Sequence, residues 1–434
     1  MTLETVRNVR RRSRGRLSPE ATRGASDAVV HVQCAIAGGG PAGMMLGWLL
    51  ARAGVTVVVL EKHRDFLRDF RGDTIHPSTL EILYELGVLE EFLKRPHREI
   101  RELTGRVGRE TLTLGDFSHL PTRCKFIALM PQWDFLNFVA SQAQAHSTFR
   151  LLMQAEVTGL QESNGRVRGL IAAMPDGSIA IDADLVVGAD GRRSDVRAKA
   201  GLPVEDLGAP MDVLWMRISR NPADPEGLVG NLDSGIVFVM IDRGDYWQCA
   251  FAIPKGGIDD IHARGLPQFR DRIRALVPFL GNRVDELSDW NEIKLLTVVV
   301  DRLRTWHKPG LLCIGDAAHA MSPVGGVGIN LAIQDAVAAA NILAAPLAFG
   351  RLSDNDLVSV QRRRELPTRV IQRGQVALQN LFLKRALENR GEVKVPLAMR
   401  LLQRFPVLRR IPARLVGVGI RPEHVRLRTL PSRS

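Results

Sequence analysis

The segment between residues 29 and 61 constrains the fold of this chain more than any other. Residues 29–37 form an apolar run typical of a buried parallel strand, and residues 41–53 show the apolar face of a helix. Residues 55–60 form a second, β-branched run that ends at Glu61. A strand, a helix and a second strand in this order predict a βαβ unit and therefore a parallel sheet.

The glycines between the first strand and the helix have the spacing G-x-G-x-x-G, supplied by Gly38, Gly40 and Gly43. Gly38 permits the tight turn, Gly40 lets the backbone approach a pyrophosphate, and Gly43 lets the helix pack closely on the strand. The helix, which begins with Pro41 and Ala42, directs free N–H groups towards such a phosphate. The segment therefore predicts a dinucleotide site.

Glu61 is the acidic residue expected in a site of this type. It ends the second strand, where a carboxylate can accept hydrogen bonds from both ribose hydroxyls, and Lys62 follows it in the cofactor-binding set. A carboxylate in this place argues against a 2′-phosphate and so against NADP. The motif by itself leaves FAD and NAD as alternatives.

A second glycine segment follows far along the chain. Residues 183–187 are predicted to form a strand, and Asp190 and Gly191 a tight turn after it. Ser194 is then a helix N-cap. This order again places a polar turn at the end of a strand.

A third glycine segment favours a flavin. Residues 310–314 are predicted to form a short buried strand that ends at Gly315 and Asp316, and a long alanine-rich helix starts near Gly328. Asp316 is placed to bond a polyol chain. The helix start is placed to direct its positive dipole at an anionic reduced flavin ring.

Together the three segments resemble the FAD-dependent aromatic hydroxylases, the single-component flavoprotein monooxygenases related to para-hydroxybenzoate hydroxylase. The resemblance covers about residues 30–345. It implies that Glu61 holds the adenosine ribose, that Asp190 serves both FAD and the incoming nicotinamide nucleotide, and that Asp316 holds the ribityl chain. It also implies that residues 323–328 lie against the isoalloxazine. The implied cofactor-binding residues are Gly38, Gly40, Pro41, Ala42, Gly43, Glu61, Lys62, Arg71, Gln132, Asp190, Gly191, Gly315, Asp316, Pro323, Gly326, Gly328, Ile329 and Asn330.

The resemblance implies a reaction in which NAD(P)H reduces FAD and leaves, and O2 then forms a flavin C4a-hydroperoxide. One oxygen atom passes to an aromatic or polyketide- or quinone-like small molecule. The chemistry belongs to the flavin, so no catalytic side chain is assigned beyond the flavin loop with Pro323, Gly325 and Gly326. The presence of one dinucleotide motif fits transient docking of NAD(P)H.

Three other functions stay open. A flavin-dependent halogenase would carry W-x-W-x-I-P, whereas residues 249–254 end in Ile-Pro and lack both tryptophans. A flavin-dependent reductase could saturate a prenyl or polyketide double bond. The alternative of another class is a non-catalytic flavin-binding protein at a membrane surface.

The pattern of strands and helices predicts an α/β fold with a Rossmann-type FAD-binding domain, an interleaved antiparallel-sheet substrate domain and a helical C-terminal region. We assign residues 28–96, 128–203 and 296–350 to the FAD-binding domain, 97–127 and 204–295 to the substrate domain, and 351–434 to the C-terminal region. Strand alternation places Trp215 and Arg217 on one face of the substrate sheet, without showing which face meets the flavin. The candidate substrate residues are His76, Trp215, Arg217, Met240, Tyr246 and Trp247.

The net charge of +12 is confined to the two ends of the chain. Residues 1–25 carry +5 and residues 360–434 carry +14, so the middle carries −7. Residues 1–27 are predicted to be a basic, disordered extension. The C-terminal segment could contact an anionic membrane surface or pack over the FAD-binding domain. Nucleic acid is not expected as a partner, because the basic ends lack interleaved aromatic residues.

The four cysteines are scattered, and Cys34 and Cys313 fall in predicted buried strands, where they are expected to be packing residues. Their spacing does not predict a metal site. Free cysteines are typical of a reducing compartment. We therefore expect a cytoplasmic protein, peripheral to a membrane if the C-terminal segment binds lipid.

Overall fold

The computed structural model describes residues 30–67, 74–108, 110–225, 227–233, 236–380, 395 and 397–427. The predicted extension at residues 1–27 and the predicted cofactor residue Arg71 lie outside these ranges. The helices are α1 Pro41–Arg52, α2 Pro77–Glu85, α3 Leu89–Leu93, α4 Gln132–Gln144, α5 Asp195–Lys199, α6 Ile258–Arg264, α7 Leu266–Leu276, α8 Gly328–Ala348, α9 Asp354–Leu378, α10 Leu397–Arg404 and α11 Arg410–Gly417. The first ten strands are β1 Val30–Ala37, β2 Val57–Glu61, β3 Thr74–Ile75, β4 Arg98–Ile100, β5 Glu102–Val107, β6 Glu110–Asp116, β7 Ile127–Leu129, β8 Phe149–Met153, β9 Glu156–Ser163 and β10 Arg166–Met174. The others are β11 Gly177–Gly188, β12 Val204–Asp206, β13 Met211–Ser219, β14 Leu228–Asp233, β15 Ile236–Asp242, β16 Tyr246–Pro254, β17 Lys294–Leu296, β18 Asp301–Leu303, β19 His307–Lys308 and β20 Leu311–Cys313.

The first sheet is the parallel sheet that the βαβ pattern predicts. β1 lies between β11 and β2, and β20 and β8 extend this parallel run on either side. β19 pairs antiparallel with β20, and β9 and β10 form an antiparallel extension of β11. Every residue of β2 is buried, as expected of a β-branched strand in the middle of such a sheet. α1 packs against α8 and α4, with Trp48 and Leu49 in the common core.

The second sheet is antiparallel except where β14 meets β5. Its strands run in the order β17-β13-β16-β15-β14-β5-β6, so β5 and β6 join strands that follow about 100 residues later. β4 and β7 do not enter it, because β7 pairs with β4 on one side and with β3 on the other in a separate small sheet. The predicted α/β class and the helical C-terminal region are confirmed. The domain limits assigned above remain predictions.

Of the helices after the last strand, α8 and α9 contact the first sheet, whereas α10 and α11 pack on β6 of the second. Within the described residues one helical stretch, Val324–Ala348, has the length and hydropathy of a membrane span, but 72% of its most apolar window is buried in the protein. It contains α8, which packs between α1 and α9 as a core helix does. α11 returns to β6, and Val425 donates its N–H to Glu85 at 2.7 Å.

The four cysteines are buried and unpaired. Cys34 lies in β1 and Cys313 in β20, where both belong to the main core. Burial raises the pKa of both thiols well above the usual range. The placement agrees with their predicted role as packing residues.

Candidate flavin and substrate site

The three glycine segments meet at the carboxyl ends of neighbouring strands. A Cβ at Gly38 would lie 2.4 Å from the carbonyl oxygen of Ala189, and the φ of Gly38 is +104°, so this turn requires glycine. The N–H of Ile314 donates to the carbonyl of Gly188 at 3.0 Å, which joins the second segment to the third. The backbone itself therefore brings together segments that are about 125 to 150 residues apart along the chain.

The first turn leaves space where a phosphate would approach. A Cβ at Gly43 would lie 2.0 Å from the carbonyl oxygen of Gly38, so the glycine is needed for contact between the helix and the turn. A Cβ at Gly40, in contrast, would meet no heavy atom of the described residues within 4 Å. Pro41 is the first residue of α1, and no side chain caps the helix in the part described. The open side of Gly40 and the uncapped helix start fit a pyrophosphate.

Glu61 lies beside this turn with its carboxylate already oriented. Oε2 accepts the N–H of Gly39 at 3.0 Å, and Oε1 accepts the N–H of His63 at 3.0 Å. The side chain is 11% exposed, so its oxygens are close to the surface where a ribose would lie. Lys62 next to it is exposed.

Asp190 forms the centre of the second turn. Its Oδ1 accepts from the hydroxyl of Ser194 at 2.5 Å, and its Oδ2 accepts the N–H of Val196 at 3.1 Å. Ser194 caps α5 by accepting the N–H of Arg197 at 3.0 Å, which confirms the predicted cap. Burial raises the pKa of Asp190 above its ordinary value although these hydrogen bonds oppose the change. Gly191 has a φ of +89°, as a tight turn of this kind requires.

Asp316 in the third turn is linked to the second turn through Arg192, whose Nη2 lies 3.8 Å from its carboxylate. Gly315 has a φ of +59°, and a Cβ there would approach Ala42 at the start of α1 to 3.1 Å. The predicted phosphate, ribose and ribityl residues are therefore neighbours in space. Their identification as FAD ligands remains a proposal.

The loop with Pro323, Gly325 and Gly326 lies against β3. The hydroxyl of Thr74 donates to the carbonyl of Gly326 at 3.1 Å, and a Cβ at Gly326 would lie 2.4 Å from that hydroxyl. Asn330, one turn into α8 and two residues after Gly328, accepts the N–H of His76 at 3.0 Å and the hydroxyl of Thr79 at 2.8 Å. These contacts hold the loop and the start of α2 together. Ile329 is buried, and Gln132 is buried at the first position of α4.

His76 is buried completely, and its ring contacts the C-terminal segment. Nδ1 donates to the carbonyl of Val416 at 2.8 Å. Burial lowers the pKa of His76 to about 4, against the smaller opposite effect of that hydrogen bond. The imidazole is therefore neutral at neutral pH.

The substrate sheet shows which of its faces meets the flavin loop. Trp215 and Val324 of the loop pack against one cluster that contains Val213 and Ala252. Arg217, which is exposed, lies on the same face as Trp215 and places its guanidinium 4.9 Å from the ring centre of Tyr246. Trp215, Arg217 and Tyr246 thus remain candidate substrate residues.

Met240 and Trp247 were predicted as substrate residues, and the structure corrects this. Both are fully buried in a second cluster with Phe251 and Phe269, on the opposite face of the sheet. Trp247 donates Nε1–H to Asp224 at 2.9 Å. Side chains alternate between the two faces of a strand. Because α7 covers the face that carries Met240 and Trp247, neither side chain reaches the flavin loop.

Two sets of polar residues behind the site were missed in the sequence analysis. In the first, Asp335 of α8 accepts the N–H of Gly315 at 3.1 Å, His319 Nε2 at 2.5 Å and Arg364 Nε at 2.8 Å. Burial raises the pKa of Asp335, but His319 and Arg364 outweigh it, and the pKa is lowered overall. The second set is a row of glutamines on α9 and at the residue immediately after it. The signal for the first set was a carboxylate, Asp335, in a predominantly apolar helix, and the signal for the second was polar residues at helical spacing in α9.

Comparison with known proteins agrees with this architecture. The family model described as an FAD binding domain matches residues 31–373. The 6-methylpretetramide 4-monooxygenase of Streptomyces rimosus is 34% identical over 390 residues, which are 89% of this chain and 92% of that protein.

YhjG of Bacillus subtilis (strain 168), named an uncharacterized aromatic compound monooxygenase, is 26% identical over 71% of this chain, and the match spans 60% of its own length. The crystal structure of p-nitrophenol 4-monooxygenase PnpA from Pseudomonas putida DLL-E4 superposes with a TM-score of 0.72 at 20% identity. That match covers 89% of this chain and 96% of PnpA, and at this identity it shows the fold alone.

The fold and the convergent glycine turns define an α/β flavoprotein oxidoreductase. The family model matches most of the chain, and the chain therefore belongs to the FAD-dependent aromatic hydroxylases. It is an FAD-dependent monooxygenase that acts on a small molecule.

Proposed function

We propose that the protein uses NAD(P)H and O2 to hydroxylate a polycyclic aromatic polyketide. The observation that carries this proposal is the 34% identity to 6-methylpretetramide 4-monooxygenase along 92% of that protein. The half-buried Trp215 beside the flavin loop offers an aromatic surface to a planar substrate.

The residues of the chain have separate tasks in this proposal. Gly40 and the start of α1 bind the pyrophosphate, Glu61 binds the adenosine ribose, and Asp316 binds the ribityl chain. When bound, FAD supplies the hydride acceptor and the O2 chemistry. Asp190 would serve both FAD and a nicotinamide nucleotide that docks transiently. The face with Trp215 excludes water from the ring.

The test follows NAD(P)H oxidation in air by the FAD-loaded protein with phenols, quinones and tetracyclic aromatic amides, and analyses the products by mass spectrometry. A compound that accelerates oxidation and gains one atom of 18O from 18O2 supports the proposal. A product that gains hydrogen only would identify a reductase. Bound FAD without NAD(P)H consumption for any compound would favour the non-catalytic alternative.

We also infer that the C-terminal segment binds an anionic lipid surface. Six large apolar residues of this segment are exposed, with Leu397 at 74%, Val407 at 60% and Ile411 at 66%. Six arginines and no acidic residue lie between residues 397 and 422. Apolar side chains next to arginines fit the boundary between headgroups and acyl chains. We call these residues the C-terminal apolar surface: Leu397, Leu401, Phe405, Val407, Ile411 and Leu415.

Sedimentation with vesicles of neutral or partly anionic lipid tests this inference. The wild type should bind the anionic vesicles and be released by salt. Phe405→Ser with Ile411→Ser should abolish binding, whereas Leu366→Ser, which changes a leucine 56% exposed on α9, should not. No binding to anionic vesicles would refute the inference. A dimer by light scattering that the double variant dissociates would identify a second copy as the occupant.

A further inference from the structure

Helix α9 presents a buried polar face to the rest of the protein. A helix that packs on a core usually does so with an apolar stripe, but Arg364, Thr368 and Gln372 of α9 are fully buried. Because these positions recur every four residues, they lie on one face of the helix. The buried face of α9 therefore makes hydrogen bonds in addition to the apolar packing of Leu357 and Val360.

The glutamines on this face bind the backbone of the segment that leads into the flavin loop. Gln372 Nε2 donates to the carbonyls of Asp301 at 2.8 Å and Ala320 at 3.0 Å. It thus ties the strand β18 to the residues immediately before the loop. Gln372 is the first of three glutamines that make such bonds.

Gln375 spans Pro323 from one side to the other. Its Nε2 donates to the carbonyl of Ser322 at 3.1 Å and to the carbonyl of Val324 at 2.8 Å. Gln379, four residues further on, donates to the hydroxyl of Ser322. That hydroxyl also accepts the N–H of Val324 at 3.2 Å. Both residues that flank Pro323 are thus held from α9.

The carbonyls of Ser322 and Val324 do not belong to a sheet ladder, since both residues lie outside every strand. Buried carbonyl groups are costly when unpaired. The amides of Gln375 on α9 and of Gln379, the residue immediately after α9, supply donors at fixed positions because both side chains are buried. A shift of the loop would break several of these bonds at once.

We propose that Gln372, Gln375 and Gln379 are positioning residues that set the conformation of the flavin loop, and through it the placement of the flavin ring. The inference rests on the proposed position of residues 323–328 against the isoalloxazine. The glutamines do not touch the reacting atoms. They determine how tightly the loop holds the oxidised and reduced ring.

The test compares Gln375→Leu with Gln361→Leu. Gln361 is on the same helix and also makes two backbone bonds, to the N–H of Trp306 at 2.9 Å and to the carbonyl of Arg304 at 3.0 Å. These bonds lie outside the flavin loop, so Gln361→Leu is the matched control. The measurements are the dissociation constant of FAD from the reconstituted apoprotein, the midpoint potential of the bound flavin, and the melting temperature.

Gln375→Leu is expected to weaken FAD binding roughly tenfold, as the loss of about two hydrogen bonds would, and to shift the midpoint potential. Gln361→Leu should lower the melting temperature but leave both flavin properties unchanged. Gln375→Glu keeps the shape and loses the donor, and should behave like Gln375→Leu. Equal FAD affinity and potential in the Gln375 and Gln361 variants would overturn the proposal.

Two further variants keep the test decisive. If Gln375→Leu does not fold, Gln379→Ala removes a single bond and should change FAD affinity in the same direction; an unchanged affinity and potential would overturn the proposal. Asp316→Ala tests the flavin site separately. If Asp316→Ala binds FAD as the wild type does, the proposed site itself is wrong, and the inference fails with it.

Discussion

At the scale of single residues, two glycines of the first turn differ in the space that surrounds the missing side chain. Gly43 is in contact with the carbonyl of Gly38, so its missing side chain serves the fold. A Cβ at Gly40 would meet no heavy atom of the described residues within 4 Å, so this position has room for the proposed pyrophosphate. The same motif therefore contains a glycine required by the fold and a glycine that we propose to be required by the cofactor.

We predict that Gly40→Ala lowers the unfolding free energy of the apoprotein by less than about 1 kcal/mol, the cost of alanine at a helix N-cap, and weakens FAD binding at least tenfold, about 1.4 kcal/mol. The methyl group would occupy the space where the pyrophosphate approaches. Gly43→Ala should instead destabilise the apoprotein by about 1–3 kcal/mol, because a Cβ 2.0 Å from an oxygen forces a shift. Denaturant unfolding and FAD titration measure the two effects.

Gly374→Ala is the control for this pair. Gly374 lies inside α9 with no heavy atom of the described residues within 4 Å of a Cβ. The change should add roughly 0.5–1 kcal/mol of stability through helix propensity and leave FAD affinity as it was. Loss of FAD affinity in this variant would show that a Gly→Ala change far from the first turn also weakens FAD binding. The effect of Gly40→Ala would then be no evidence for a pyrophosphate at Gly40.

His76 predicts a pH dependence of stability. In the unfolded chain an imidazole protonates near pH 6.5, whereas burial holds the pKa of His76 at about 4 in the folded protein. The unfolded state therefore binds more protons between these values, and stability falls as the pH drops from about 6.5 to 4. In His76→Asn, whose amide can keep the bond to Val416, the fall between pH 7 and pH 4.5 should be smaller by about 2–3 kcal/mol. An identical fall in both proteins would contradict the neutral buried imidazole.

At the scale of elements, the two faces of the substrate sheet separate the candidate substrate residues from the packing residues. Trp215 and Trp247 lie on paired strands, β13 and β16, but on opposite faces. Trp215 is half-buried beside the cluster that the flavin loop contacts, and Trp247 is buried under α7 with Phe269. Two tryptophans on paired strands therefore have different expected roles: Trp215 is a candidate for substrate contact, and Trp247 packs in the core.

We expect Trp247→Ala to cost about 3–5 kcal/mol of unfolding free energy, because it leaves a large cavity and removes the partner of Asp224. Trp215→Ala should cost about 1–2 kcal/mol and change the KM for an accepted substrate more than that for NAD(P)H. Denaturant unfolding and steady-state kinetics give the comparison. A KM effect confined to Trp247→Ala would reverse the assignment of the faces.

The buried carboxylate of Asp335 joins α8, α9 and the third glycine turn. Asp335→Asn would leave Arg364 in the interior with Glu423, at 3.3 Å, as its remaining ionic partner among the described residues. The expected cost is about 3–5 kcal/mol of unfolding free energy. The pKa of Asp335 is lowered in the folded protein. The carboxylate therefore contributes its full share to the unfolding free energy above the ordinary carboxyl range, and this contribution is lost only as the pH falls below that range. Wild-type and variant stabilities that differ equally at pH 7 and pH 2.5 would argue against this.

At the scale of the whole molecule, the cofactor would connect parts of the chain that are distant in sequence. The first turn is formed by residues 38–43, the second by residues 188–191 and the third by residues 315–316. Each turn lies at the end of a different strand of the first sheet. A ligand that touches all three binds the folded protein and not the unfolded chain. Cofactor removal should therefore affect the stability of the complete protein.

FAD at about 100 times its dissociation constant should stabilise the protein by about 2.7 kcal/mol over the apoprotein. Thermal unfolding of the apoprotein with increasing FAD measures this. Gly40→Ala at the same FAD concentration should show a smaller increase in melting temperature. Equal increases in both proteins would place FAD away from the first turn.

The sequence predicted the βαβ unit and the three turns because their signals are local. A strand, a glycine turn, a helix and its cap are specified within about 30 residues by hydrophobic period and by steric freedom. Gly38 and Gly315 therefore each follow a strand, as predicted. Met240 and Trp247 could not be placed correctly, because alternation divides a strand into two faces without saying which face the helices cover.

By itself the sequence determined the fold class, the dinucleotide turn and the residue types around it, since backbone geometry and side-chain period are properties of short segments. Only the tertiary structure decided which face of β13 meets the flavin loop. It also brought Gln375 to Ser322, 53 residues earlier in the chain. The physical reason is that the sequence of a helix such as α9 shows which residues share a face, whereas the partner of that face depends on how the whole chain packs.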